Sequence, residues 1–167
     1  MIGSSHIIIK RKFICPDLRN LFVSTLVFVF LIVAIWWIYT SNLKKTRDAE
    51  RYADSALLLS SLVEYQNDHG GALPALVDDD PSSLQMITTE NGSCDGRCSA
   101  GQLTLDCLNL SNDLIPNYLS AIPTDSYYFG KKPIRAYVGY YLNRGLSGQV
   151  IVGSCYPEYE DQIMVVH

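Results

Sequence analysis

Residues 21–40 read LFVSTLVFVFLIVAIWWIYT, twenty residues without a charge, a Gly or a Pro. At helical rise they reach across about 30 Å, the hydrocarbon thickness of a bilayer. Lipid offers the backbone no partner, so such a run satisfies its amides internally, as a helix. Trp36, Trp37 and Tyr39 gather at its C-terminal end, where amphipathic rings favour the headgroup boundary. The run is longer than the apolar part of a secretory signal, and no small-x-small cleavage site follows it. It predicts a retained transmembrane helix.

The helical pattern does not stop there. Residues 43–67 also lack Gly and Pro, and Ala49, Tyr52, Ala53, Ala56, Leu59, Leu62 and Val63 recur at helical spacing. Arg47/Glu50, Asp48/Arg51 and Arg51/Asp54 stand three apart, close enough to meet on one face. Asn67-Asp68-His69-Gly70-Gly71, with Pro74 beyond, is a stop signal. One helix over about residues 21–67 follows, roughly 68 Å long, apolar all round at first and amphipathic afterwards. A globular domain must pack against its second half.

Outside the span, charge is unevenly placed. Residues 1–20 hold four Lys/Arg against one Asp; residues 41–167 hold nine against sixteen Asp/Glu. The overall net charge of −4 excludes a nucleic-acid binder of the ordinary basic kind. Lys44, Lys45, Arg47 and Arg51 follow the span closely, so the positive-inside count is nearly balanced. The cysteines decide the orientation. Cys94, Cys98, Cys107 and Cys155 form an even set suited to two disulfides outside the cytosol, while Cys15 stands alone on the other side. The basic segment is therefore expected in the cytoplasm, with residues 41–167 outside the cell membrane. Three connectivities are open; the preferred one joins Cys155 to Cys107 and leaves Cys94 with Cys98. Zinc is disfavoured because the spacing lacks paired knuckles.

Four parts result: a basic cytoplasmic segment (1–20), a transmembrane helix (21–40), its amphipathic continuation (41–71), and a disulfide-containing loop region with a β-sheet (72–167). Residues 72–106 read as loop, and residues 112–119 as a short helix. IRAYVGYYL (134–142), NRGLSG (143–148) and QVIVGSCY (149–156) predict a hairpin, with residues 163–166 as a third strand. A lone hairpin is marginal, so the long helix must supply the other layer. The fold class is α+β, a long helix on a small antiparallel sheet.

Three stretches resemble type IV pilins and pseudopilins. Residues 47–74, RDAERYADSALLLSSLVEYQNDHGGALP, are similar to the helix that follows the anchor in that family. Residues 114–125, LIPNYLSAIPTD, resemble the segment leading into the pilin sheet. Residues 137–155 resemble its strand, turn and apolar strand ending at a cysteine. The resemblance implies a structural subunit anchored in the bilayer that packs with other pilin-like subunits through the N-terminal helix, in a membrane or a surface filament. It also implies a prepilin peptidase site, which is degenerate here. With the junction after Asn20, Asn20 replaces the family's Gly, Leu21 its Phe and Thr25 its Glu. In the family that Glu is held to pair with a neighbour's freed amine, and Thr25 cannot form the pair. The alternative is a monomeric single-pass protein whose outer domain binds a ligand or partner without polymerising.

Nothing points to an enzyme, a metal or a cofactor. His6, His69 and His167 are scattered, and no G-x-S-x-G, P-loop or G-x-G-x-x-G occurs. Cys94-Asp-Gly-Arg-Cys98 has one residue too many for a C-x-x-C redox motif. Asp78-Asp79-Asp80, with Asp95 or Asp106, is a weaker candidate for calcium than for a solvated acidic loop, lacking EF-hand spacing. Asn91-Gly-Ser and Asn109-Leu-Ser fit the N-glycosylation pattern.

Overall fold

A computed structural model describes residues 18–89, 98–100, 107–125 and 137–167. The fold begins with α1, Leu18–Asp68, a single helix of 51 residues. Contacts divide the chain into two units, Met1–Thr40 and Ser41–His167. In the first unit the described residues are all helical, and nearly every side chain from Arg19 to Tyr39 is exposed. Phe22, Phe30, Trp36 and Trp37 are each about 70% exposed, an apolar surface that water would not tolerate over such a length. By length and composition α1 is a candidate membrane span. Thr25 spends its hydroxyl on the Leu21 carbonyl one turn back, at 2.9 Å.

In the second unit α1 packs on a five-stranded sheet, an α+β arrangement. The strands are β1 (Gln85–Thr88), β2 (Leu108–Asn109), β3 (Tyr137–Arg144), β4 (Val150–Ser154) and β5 (Met164–Val166). Their order is β2-β1-β3-β4-β5. The sheet is mixed rather than purely antiparallel, because β1 and β2 run parallel. β1 lies inside the stretch read as loop. Its four residues QMIT are all buried and do not alternate, so no period marks them as a strand. The hairpin and third strand are present, with Tyr140↔Ser154 to Arg144↔Val150 and Ile151↔Val166 to Gly153↔Met164 in register. β3 runs two residues into the expected turn, and residues 134–136 lie outside the described residues.

Helix α1 ends where the glycines predict: Gly71 N–H reaches the Gln66 carbonyl at 2.7 Å, with Gly70 at φ 66°. The short helix α2, Ser111–Leu114, stops well before the expected Leu119. Ile115 precedes Pro116, and the proline ring drives it into extended backbone, φ −99° and ψ 136°.

Side chains of β3 alternate between two cores. Val138, Tyr140 and Leu142 join Leu58 and Leu62 of α1, with Ile87, Val150 and Val152 of neighbouring strands. Tyr137 and Tyr141 face the other way, with Leu84, Met86 and Cys155. Burying each leucine of α1 contributes about 2 kcal/mol. Both faces of the sheet are therefore covered, one by α1 and the other by loop chain that includes Cys98 and Ala100. The loop is held there by the Cys98–Cys155 disulfide, with Cα atoms 4.4 Å apart. Ser99 donates its N–H and its hydroxyl to the Cys155 carbonyl, at 3.1 and 2.6 Å. This corrects the preferred pairing of Cys155 with Cys107. Residues 98–100 run beside the end of β4, a placement that spacing could not reveal. Cys107 is disulfide-bonded too, while Cys94 and Cys15 lie outside the described residues.

Candidate functional site

The first turns of α1 in the second unit carry Arg47, Asp48, Arg51 and Asp54, and the helical repeat places them on the flank that meets the sheet. Arg51 is buried to 2% exposure. Its Nε lies 2.7 Å from Asp125 Oδ2, its Nη2 3.3 Å from Asp125 Oδ1, and its Nη1 2.7 Å from Asp48 Oδ1 and 2.9 Å from Glu158 Oε1. Arg47 grips Glu158 with two bonds, Nε to Oε1 at 2.7 Å and Nη2 to Oε2 at 2.5 Å. The fork of a guanidinium suits such bidentate pairing.

Asp48 also binds backbone. Its carboxylate accepts the amides of three successive residues: Glu158 at 3.0 and 3.1 Å, Tyr159 at 2.7 Å and Glu160 at 3.0 Å. Successive N–H groups converging this way form an anion nest, and here a side chain of the same protein fills it. Tyr140 on β3 donates to Asp54 Oδ2 at 2.6 Å.

These contacts set the charge states. Burial pushes the Asp48 carboxyl up, but the bonds from Glu160, Tyr159, Arg51 and Glu158 together pull it below its ordinary value. Glu158 follows the same logic: burial raises it, and Arg47 with Arg51 outweighs burial. Burial opposes the charge on Arg51, yet bonds to Asp125 and Asp48 hold it protonated. Burial, then the bond to Asp54, pushes the Tyr140 phenol up. Asp48 and Glu158 are thus ionised and engaged with donors. The arrangement is a polar lock joining α1, the Asp125 segment and residues 158–160.

Of the three intrahelical pairs expected, the structure contains Asp48–Arg51. Arg47 reaches 111 residues ahead to Glu158, and Arg51 reaches 74 ahead to Asp125. The partners Asp125, Glu158 and Tyr140 were not legible as site residues, since nothing local marks an isolated acid as a partner for a distant helix.

The other candidates fall elsewhere. Asn20 and Leu21, expected at a processing junction, lie within α1 and are both exposed, with Thr25 one turn on. Asp78, Asp79 and Asp80 shape a turn: Asp80 Oδ1 accepts from the Ser82 amide and hydroxyl at 2.9 and 2.6 Å, and Asp79 pairs with Arg144. Asp95 and Asp106 lie outside the described residues, as do His6 and Asn91. Among the described residues no group of three or more His, Cys, Asp or Glu is placed to hold a metal. His69 stacks on Tyr65, ring centroids 3.9 Å apart. Asn109 is 7% exposed, and its Oδ1 accepts from the Ser111 amide at 3.0 Å.

Two openings border α1 on the β5 side. One, about 700 Å³, lies among Lys45, Ala49, Tyr52, Tyr159 and Met164; the other, about 600 Å³, among Ala56, Leu59, Val63, Val165 and His167. Lys45 Nζ sits 4.5 Å from the Tyr159 ring centre. Tyr52 is 56% exposed, so this flank of α1 presents apolar surface. In comparisons with protein families, curated proteins and solved structures, the chain matches none.

Proposed function

We propose that this chain is a pilin-like structural subunit, anchored by the first part of α1 and displaying residues 41–167 outside the cytosol. The observation that carries the reading is α1 itself. One helix presents uncovered apolar side chains from residue 21 to 39 and then packs Leu58 and Leu62 on a small sheet, leaving Tyr52, Ala53 and Leu57 exposed. Two such helices side by side would bury that surface. The pilin-like stretches at 47–74, 114–125 and 137–155 support the same reading. The disulfide supports the orientation, since such bonds persist outside the cytosol. The role is structural rather than catalytic, because the charged cluster is consumed in pairing.

A second reading rests on Asn20 and Thr25. A peptidase that needs Gly before the cut meets a side chain at Asn20, and Thr25 gives no carboxylate for a neighbour's amine. The uncut tail with Lys10, Arg11, Lys12 and Arg19 would have to leave water to enter an apolar helix bundle, which is costly for unpaired charges. On that reading the protein stays full length in the membrane as a monomer, its outer domain open to a ligand or partner.

Mass spectrometry of the native N-terminus, with separation of membranes from sheared surface fibres, tests both. A full-length chain in membranes that crosslinks to itself or to a related helix through α1 supports a membrane-resident pilin-like subunit. Asn20→Gly with Thr25→Glu should then shift it towards cleavage and fibres. A full-length chain that forms no α1 crosslink would falsify the subunit reading and leave the monomer.

A further inference from the structure

Residues 156–167 leave the sheet after Cys155, pass under Asp48, and return as β5 on the edge of β4. Their fastenings are mostly polar. At the start, the Tyr156 amide bonds Ser154 Oγ at 3.2 Å, just after the Cys98–Cys155 bridge. At the end, Val150 and His167 exchange N–H and carbonyl at 3.1 and 3.0 Å, and Ser154 N–H reaches the Ile163 carbonyl at 3.0 Å. In the middle, Asp48 takes the three amides of Glu158, Tyr159 and Glu160.

Apolar anchoring is thin by contrast. Ile163 is buried, and Val165 and Tyr156 pack half-buried against the two cores, but Met164 and Val166 are each 47% exposed. The openings of about 700 and 600 Å³ separate much of this segment from α1. A segment with few buried apolar contacts belongs to the low-stability part of a fold and opens before the core does.

We propose that residues 156–167 form a strap latched to α1 by the Asp48 carboxylate, able to open while the helix and β1–β4 stay folded. The geometry explains why this one carboxylate dominates. It is the common acceptor for three successive amides, and without it those N–H groups and the Arg51 guanidinium converge on an empty anion nest. Glu158, held by Arg47 and Arg51, is a second tie that orients the nest but supplies no acceptor for its amides. With the strap open, β4 becomes the edge of the sheet, its N–H and carbonyl groups unpaired on one side, and Ala56 and Leu59 of α1, half-buried with the strap closed, gain exposure. Closing pairs the β4 edge again. The device is independent of the filament reading.

Hydrogen exchange by mass spectrometry on the full chain in detergent micelles at neutral pH tests it. In Asp48→Ala, amides of residues 158–167 should exchange about tenfold to a hundredfold faster, as loss of bonds to a charged acceptor implies. Those of residues 51–68 and of β3 should keep their unsubstituted rates. Added formate, a carboxylate small enough for the vacated nest, should slow the strap again. Should Asp48→Ala fail to fold, Asp48→Asn removes the charge at nearly constant volume and should give the same local pattern. Acceleration spread evenly over residues 41–167, an unchanged strap, or a strap indifferent to formate would each overturn the proposal.

Discussion

The Asp125 side chain lies against Gly139 so closely that a Cβ built on the glycine would sit 2.8 Å from Asp125 Cβ. The approach has a backbone cause. Between Met86↔Tyr141 and Thr88↔Tyr137, three residues of β3 oppose one of β1, and Gly139 takes φ 89° in that bulge. Its carbonyl accepts the Cys155 amide at 2.9 Å, while the Asp125 amide bonds the Val138 carbonyl at 2.8 Å. The bulge thereby sets where the carboxylate meets Arg51.

Gly139→Ala should be among the most damaging single-methyl additions in this protein. It meets both a positive φ and a backbone-anchored neighbour, together worth about 2–4 kcal/mol. Denaturant unfolding of the full chain in micelles checks this. A loss below about 0.5 kcal/mol would show that the segment carrying Asp125 yields freely.

Ser55 and Leu58 stand one turn apart on the buried face of α1 and should respond in opposite directions. Ser55 Oγ is buried and has no hydrogen-bond partner among the described residues. Ser55→Ala removes an unsatisfied hydroxyl and adds helix propensity, so stability should rise by about 0.5–1 kcal/mol. Leu58→Ala opens a cavity in the main core and should cost about 2–5 kcal/mol. The pair of melting curves, measured together, checks both signs.

Acid should weaken the polar lock. Asp48 and Glu158 are held below their ordinary values of 3.8 and 4.5 in the folded chain. The unfolded chain therefore takes up protons first as pH falls. The stabilisation is fully present above those ordinary values and is lost through them and downward, as the folded carboxylates protonate. Arg47, Arg51, Lys45, Asp125 and Glu160 surround the pair, and the arginines stay charged throughout. Unfolding free energy followed from pH 6 downward, in steps of about half a unit, should fall below about pH 4.5, less steeply in Asp48→Asn.

Proteolysis without reductant should yield a peptide pair joined through Cys98 and Cys155. The bridge closes a loop of sequence separation 57, and Cys155→Ser should cost about 2–5 kcal/mol in the chain-entropy picture. Recovery of Cys155 joined to Cys107 instead would contradict the fold of residues 98–100 along β4.

The candidate site was half legible. Asp48 and Arg51, three apart on a helix, declared themselves as neighbours in the sequence, and the structure pairs them. The acids at 125 and 158 did not, because a carboxylate in a loop looks the same whether it faces water or a buried guanidinium. The Asp48 nest was equally hidden, since it is built from the amides of residues 158–160, which carry no side-chain signature. The cysteine pairing failed for a related reason: spacing limits which loops can close, and the path of residues 98–100 chose among them.

Sequence alone determined α1 and the β3–β4–β5 meander. A helix is held by bonds four residues apart and a hairpin by a turn of a few residues, so both are written in local periodicity, in the uncharged run 21–40, and in the glycines at 70, 71, 145 and 148. Tertiary structure alone decided the parallel pairing of β1 with β2, the Cys98–Cys155 bridge and the partners of Arg47 and Arg51. Each joins positions tens of residues apart. The ladder and the ion pairs depend on which donor lies within about 3 Å of which acceptor, and the bridge on which two cysteines meet, distances that exist only after the chain has packed.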